Sequence, residues 1–392
     1  MLGALCFVVA FAPETIQVNT TAQVHYAITN AKPGQTIKIA PGNYQGGMLF
    51  QNLHGTENSF ITITAQDPDN PPKFRGGGSA LQFSQVSYLE ISNIVIERPE
   101  HNGLNIDDGG SVETPSKRVV LKGIKVTDTP RGNNDAIKLS GIDGFTVENC
   151  TTERWGGSGI DMVGCNNGII DRCTFQDGGD SGIQAKGGSS KITIQNCRFI
   201  NAGQRALNLG GSTGAPYFRP ALAKMPANGK YEAKELTVGR NVFVGSMSPI
   251  AFVGVDGAVV SFNTIYMPER WAIRILQESN GAEFIKCRNG VFTDNIVVFH
   301  SSKWASGGVN IGPGTSPETF KFERNFWYCS DQPQNSRPSL PTREAEGTYG
   351  TDPLFNNAAQ HDFRLHPNSK AVNAGATAKR ESKDSIASAT ND

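Results

Sequence analysis

Between Asn133 and Gly214 one short phrase is written four times, and this repeat constrains the fold more than any other feature of the chain. The phrases are Asp135-Ala-Ile-Lys-Leu-Ser-Gly141, Ser158-Gly-Ile-Asp-Met-Val-Gly164, Ser181-Gly-Ile-Gln-Ala-Lys-Gly187 and Arg205-Ala-Leu-Asn-Leu-Gly-Gly211, each starting 23 or 24 residues after the last. Three are followed by a second phrase ending in cysteine, at Cys150, Cys173 and Cys197. A period in the twenties, built from short alternating strands and Gly/Asn/Asp turns, is that of a solenoid whose coils stack on one another. The expected fold is all-β, a single-stranded right-handed parallel β-helix.

Alternation assigns the faces. Ile137, Ile160, Ile183 and Leu207 should stack inward, with Leu139, Met162, Ala185 and Leu209 two positions later. The residues between them must point outward, so Lys138, Asp161, Gln184 and Asn208 form one column, with Asp135, Ser158, Ser181 and Arg205 three positions upstream. Neighbouring rungs lie only about 4.8 Å apart. Charges distant in sequence therefore gather on one face, and function is expected there.

A solenoid grows along one axis, so the 392 residues need no division into two domains. One β-helix domain is expected over residues 13–375, followed by a polar, aperiodic tail from 376 that reads as disordered. Val24, Ala27, Ile28 and Ala31 recur at helical spacing before Pro33-Gly34, which predicts a short helix capping the open end. The first twelve residues are apolar and end in Ala10-Phe11-Ala12, as a truncated secretory signal would. They are too few to span a bilayer as a helix, so export is expected and a membrane span is not.

The formal net charge is zero and no basic run occurs, which gives no reason to expect nucleic acid as a partner. A monomer is expected. Of seven cysteines, Cys150, Cys173 and Cys197 share one column and read as stacked buried thiols. Asn93, Asn149, Asn196, Asn241, Asn263, Asn295 and Asn325 recur after the second strand of each coil, with Gly123 and Arg172 on the vacant rungs, and read as turn residues tolerant of left-handed backbone. The interval of 45 residues between Asn196 and Asn241 stands out. It contains Ser212 to Glu232, which must leave the solenoid as a long loop beside the charged columns.

Asp135, Lys138, Asp161, Lys186, Arg205 and Arg274 converge on the exposed face, and mixed carboxylates and cations there suit an acidic polysaccharide. Asp135 and Asp161, with Asp180 as an accessory ligand, would hold calcium through oxygen donors. Arg205, Arg219 and Arg274 would grip uronate carboxylates, while Trp155, Trp271 and Tyr217 would supply flat faces. On a uronate polymer the chemistry within reach is β-elimination, in which a base takes the C5 proton while cations neutralise the carboxylate. Lys186, taken to lie near Arg205, is the preferred base, with Lys138 and Arg205 the other catalytic candidates; Lys138 also reads as an ion-pair partner of Asp161. Two other readings are a glycoside hydrolase using Asp135 and Asp161, and a sugar-binding or adhesin solenoid with no catalysis.

Over residues 33–375 these phrases, with the closing Asp352-Pro-Leu-Phe355 and Asp362-Phe-Arg-Leu365, resemble the right-handed β-helix polysaccharide lyases. Asn134-Asp-Ala-Ile-Lys138 followed by Gly159-Ile-Asp161 is similar to the calcium-binding coils of family nine pectate lyases. That resemblance implies Asp135 and Asp161 as calcium ligands and puts the base near Gln184. Ala185-Lys-Gly-Gly188 through Asn196-Cys-Arg-Phe199 resembles the lysine coil of the chondroitinase B and alginate lyase family, which places the base at Lys186. The implied function is a secreted lyase acting on a uronate-containing polysaccharide.

Overall fold

The computed structural model describes residues 14–378. The expectations for the first twelve residues, and for the tail beyond 378, lie outside the described residues. Short strands recur in threes and stack into three long parallel sheets, of 12, 10 and 12 strands. Pairing is in register from coil to coil, so Ile137 faces Ile160, Ile160 faces Ile183 and Ile183 faces Leu207. These side chains are buried, as are Leu139, Met162, Ala185 and Leu209. Each β-branched or aliphatic residue at an inward position meets its own kind one rung away, which is how a period-2 pattern becomes a continuous core. Phe175, Phe199 and Phe243 make such a stack, with ring centroids 4.7 Å apart at each step.

The expected cap is present as the α-helix Thr21–Thr29, which buries Val24, Ala27 and Ile28 against the first coil. Its N-terminus is set by Thr20, whose side chain accepts from the Gln23 amide at 3.2 Å. At the far end Phe355–Asn357 pairs antiparallel with Asp362–Leu365. This hairpin folds back on the solenoid, Phe355 and Phe363 against Tyr266.

The asparagine ladder divides into two columns. Asn93, Gly123, Asn149, Arg172 and Asn196 have the expected left-handed backbone, but the same column continues through Arg240, Phe262, Asp294 and Arg324. Asn241, Asn263, Asn295 and Asn325 lie one residue further on and point into the core, in line with Cys150, Cys173 and Cys197. Each Oδ1 accepts the backbone amide of the preceding rung, Asn263 from Asn241 and Asn295 from Asn263, both at 2.9 Å. Each Nδ2 donates to a backbone carbonyl and to the next amide, until Asn325, which donates to Glu344 Oε1. The three thiols do the same work more weakly: Cys173 Sγ accepts from the Cys150 amide and Cys197 Sγ from the Cys173 amide at 3.4 Å. Cys197 then hands over to Asn241. All three cysteines are buried and free, as expected.

Candidate active site

The ten-stranded sheet carries the charged face. Its central outward column reads Asn105, Lys138, Asp161, Gln184, Asn208, Ala251, Arg274 and Asn310 in successive rungs. Walls rise on both sides. Where the strands begin, the turns bearing Asn133, Gly157, Asp180 and Gln204 border a cleft of about 770 Å³. Where they end, the loop Ser212 to Glu232 runs back along the coils towards Asp108.

That loop is fastened at three places. The Arg219 guanidinium forms a two-pronged pair with Asp108, at 2.5 and 2.7 Å. Lys224 pairs with Glu113. At the loop's far end the fully buried Glu232 accepts from the Gly187 amide at 2.9 Å, from the Thr213 amide and hydroxyl, and from Ser279. The glycines ending the repeated phrases make this approach possible. Gly141 and Gly164 have φ of 63° and 61°, and a Cβ on Gly164 would stand 2.3 Å from the Arg219 Cβ. They serve both the turn and the loop above it.

On the floor of the groove two amines flank one carboxylate. Lys138 Nζ lies 2.7 Å from Asp161 Oδ2 and 3.1 Å from Asp135 Oδ2. Lys186 Nζ lies 3.3 Å from Asp161 Oδ1 and 3.1 Å from Gln184 Oε1. The carboxyl of Asp161 is 2% exposed, whereas the lysine side chains are 26% and 17% exposed. Burial, then the charge of Asp161, raises the Asp135 pKa against the opposing pull of Lys138. For Lys138 burial works downward but is outweighed by the charges of Asp161 and Asp135, so its pKa is raised and it stays an ammonium.

The calcium reading does not match this donor set. The position between Asp135 and Asp161 is taken by the Lys138 amine, and the other oxygen of Asp135 accepts from the Ser158 amide. Asp180 stands apart, exposed at the cleft, accepting from Ser181. Among the described residues no group of three or more His, Cys, Asp or Glu side chains is placed to hold a metal. Calcium takes six to eight oxygens, and two carboxylates already sharing an ammonium supply too few.

The remaining expectations divide. Arg205 does not approach Lys186: it is in register with Ser181, at the opposite end of the strand, about 16 Å away at strand rise. It donates instead to Glu278 at 2.8 Å and Asn208 at 3.2 Å. Arg219 is committed to Asp108 and anchors the loop. Trp155 offers no ring face, being 3% exposed, packed edge-on to Phe175 and donating Nε1 to the Ser181 carbonyl. Trp271 is also buried, its ring in contact with the guanidinium groups of Arg270 and Arg274 at 4.4 and 4.9 Å. Tyr217 is the aromatic that stands free, 64% exposed on the loop. Glu278, Asn310 and Glu232 escaped the sequence reading. Glu278 lies in irregular chain just beyond the strand Ile273–Leu276, and Glu232 looks like any loop acid until its four donors are seen.

The family described as a right handed beta helix region matches residues 111–219. The chain is a right-handed parallel β-helix. No curated protein matches it. Among solved structures, this β-helix is similar to the PL6 family polysaccharide lyase from Pseudopedobacter saltans, with a TM-score of 0.55 and 12% identity over 92% of the chain and 99% of that protein. The pectate lyase Pel9A gives a TM-score of 0.54 and 13% identity, over 96% and 94%. The GH136 lacto-N-biosidase from Eubacterium ramulus gives 0.56 and 13%, over 86% and 68%. At such identities the likeness is one of fold.

Proposed function

We propose that this β-helix is a polysaccharide lyase that cleaves a uronate-containing polymer by β-elimination in the groove between the cleft and the Ser212 to Glu232 loop. One observation carries the reading: two partly exposed amines share a buried carboxylate on the groove floor, and only Lys138 has a second carboxylate, Asp135, beside it. Lys138, between two carboxylates, is the fixed positive charge that meets the uronate carboxylate as negative charge develops. Lys186, which faces one carboxylate where Lys138 faces two, is the amine assigned to take the C5 proton. The C5–H electrons form the C4=C5 double bond, the C4–O bond breaks, and the departing sugar oxygen takes a proton from water. No step requires a metal. The substrate class also supports an exported protein, and no helix among the described residues is long and apolar enough to cross a membrane.

The hydrolase alternative places two carboxyl groups on either side of a glycosidic bond. Asp135 and Asp161 instead lie buried together beneath Lys138, which disfavours it. The test is a screen of pectate, alginate, glycosaminoglycans and ulvan for the ultraviolet absorbance of an unsaturated uronate, which elimination creates and hydrolysis does not. Lys186→Ala should lower turnover at least a hundredfold, the usual contribution of a general base, while polymer binding is kept. Reducing ends without the chromophore would overturn elimination in favour of hydrolysis; binding without products would leave a sugar-binding solenoid.

A further inference from the structure

Of the three arginines expected to grip acidic sugars, two already have carboxylate partners. Arg219 holds Asp108 and Arg205 holds Glu278. Arg274 is different. Its Nε donates to Asn310 Oδ1 at 3.0 Å, and no carboxylate among the described residues pairs with it. It is half-buried on the central outward column, in register with the buried Ala251 on one side and Asn310 on the other. The Trp271 ring packs against the guanidinium groups of both Arg274 and Arg270. Burial, then Arg205 and Arg270, pushes the Arg274 pKa below the ordinary arginine value, with Glu278 opposing. A guanidinium fixed by an indole and an amide, short of counter-charge and facing a groove, is in the condition that a planar oxyanion relieves.

We propose that Arg274, oriented by Trp271 and Asn310, forms a distal subsite that takes the carboxylate or sulfate of an acidic sugar. It lies three rungs from Gln184, through Asn208 and Ala251, which is about 14 Å from the coil of Lys186. The proposal rests on the acidic-polymer reading and extends it: productive ligands must reach from the lysines to Arg274, so long chains are preferred and the acidic group at the far end is read separately from the one at the base. Arg274 is a binding residue and takes no part in proton transfer.

The experiment is affinity gel electrophoresis of the full chain in polygalacturonate, alginate, chondroitin sulfate, dextran sulfate and neutral dextran, with the unsaturated-uronate assay run in parallel. Wild type should be retarded by charged polymers and not by neutral dextran. Arg274→Gln, which removes the charge and keeps a polar amide, should weaken that retention about tenfold or more, the usual scale for a charge-assisted hydrogen bond. Arg274→Lys should recover only part of it, and Lys186→Ala should keep retention while losing turnover. Retention by dextran sulfate as well as the uronates assigns a sulfate-tolerant subsite; retention by the uronates alone assigns a carboxylate one. Arg274→Gln retained like wild type, or wild type retained by none of the charged polymers, overturns the subsite. Arg274-dependent retention without any unsaturated product would overturn elimination and leave the subsite standing.

Discussion

Lys186 Nζ lies 3.3 Å from Asp161 Oδ1, a buried oxygen that receives no hydrogen bond of standard geometry. The other oxygen is held by Lys138. Asp161 therefore organises both amines from below, and its removal should be felt in folding before it is felt in chemistry. Asp161→Asn leaves two lysines without their shared counter-charge and should cost about 3–5 kcal/mol, the range for breaking a buried pair from one side. Urea denaturation measures it. A loss below about 1 kcal/mol would mean that the lysines find solvent instead.

Asp135 gives the site a pH signature. Its folded pKa is raised above the ordinary 3.8, so its contribution to stability is present below that value and is lost as pH rises through the folded pKa. The raised Lys138 pKa acts in another window, present below its ordinary 10.5 and lost only in strong alkali. Wild type should therefore lose stability relative to Asp135→Asn as pH is raised from 3.8 towards neutrality, and the difference should then level off. Urea midpoints of both proteins across pH 3.5–8 test this; parallel curves would contradict it.

Since the Lys138 amine sits where a calcium would, exhaustive chelation should change neither melting temperature nor turnover. A fall in either that calcium restores would show that Asp135 and Asp161 exchange the lysine for a metal.

The Ser212 to Glu232 loop is a fastened wall. Phe218 is buried beside Phe284, and Arg219 and Asp108 bind across 111 residues of sequence. Arg219→Ala should open the loop to limited proteolysis between Tyr217 and Lys230 and raise the Michaelis constant more than it lowers turnover. Replacing the whole segment by a short turn should also cost stability, because Glu232 leaves with it and two of its donors, the Gly187 amide and the Ser279 hydroxyl, stay behind. Cleavage as slow as in wild type would show that Lys224 and Glu232 hold the loop without Arg219.

In the core, Asn263→Ala should cost about 3 kcal/mol. It strands the Asn241 amide and breaks the donations to Val238 and Asn295, and buried groups left unpaired are the expensive case. Thiol titration complements this. The six described cysteines are buried, burial pushes Cys165 and Cys287 up to about 12, and none of the six should react before unfolding.

The repeat alone determined the coil, its register and the direction of each strand side chain, because a period of 2 within a period of about 23 leaves one way to stack Ile137, Ile160, Ile183 and Leu207. It also placed Lys138 opposite Asp161. What it left undecided lies where periodicity stops. Arg205 resembled a neighbour of Lys186 because their coils are adjacent, yet five positions along the strand separate them; closeness along the axis does not give closeness across the sheet. Asn241 and Asn196 look alike in sequence, but a one-residue shift turns a left-handed corner into a buried amide. Trp155, Arg219 and Glu232 are set by contacts with other coils, and the pairing of Arg219 with Asp108 has no sequence period to announce it. Strand periodicity fixes which way a side chain points; only the packed coils decide what it finds there.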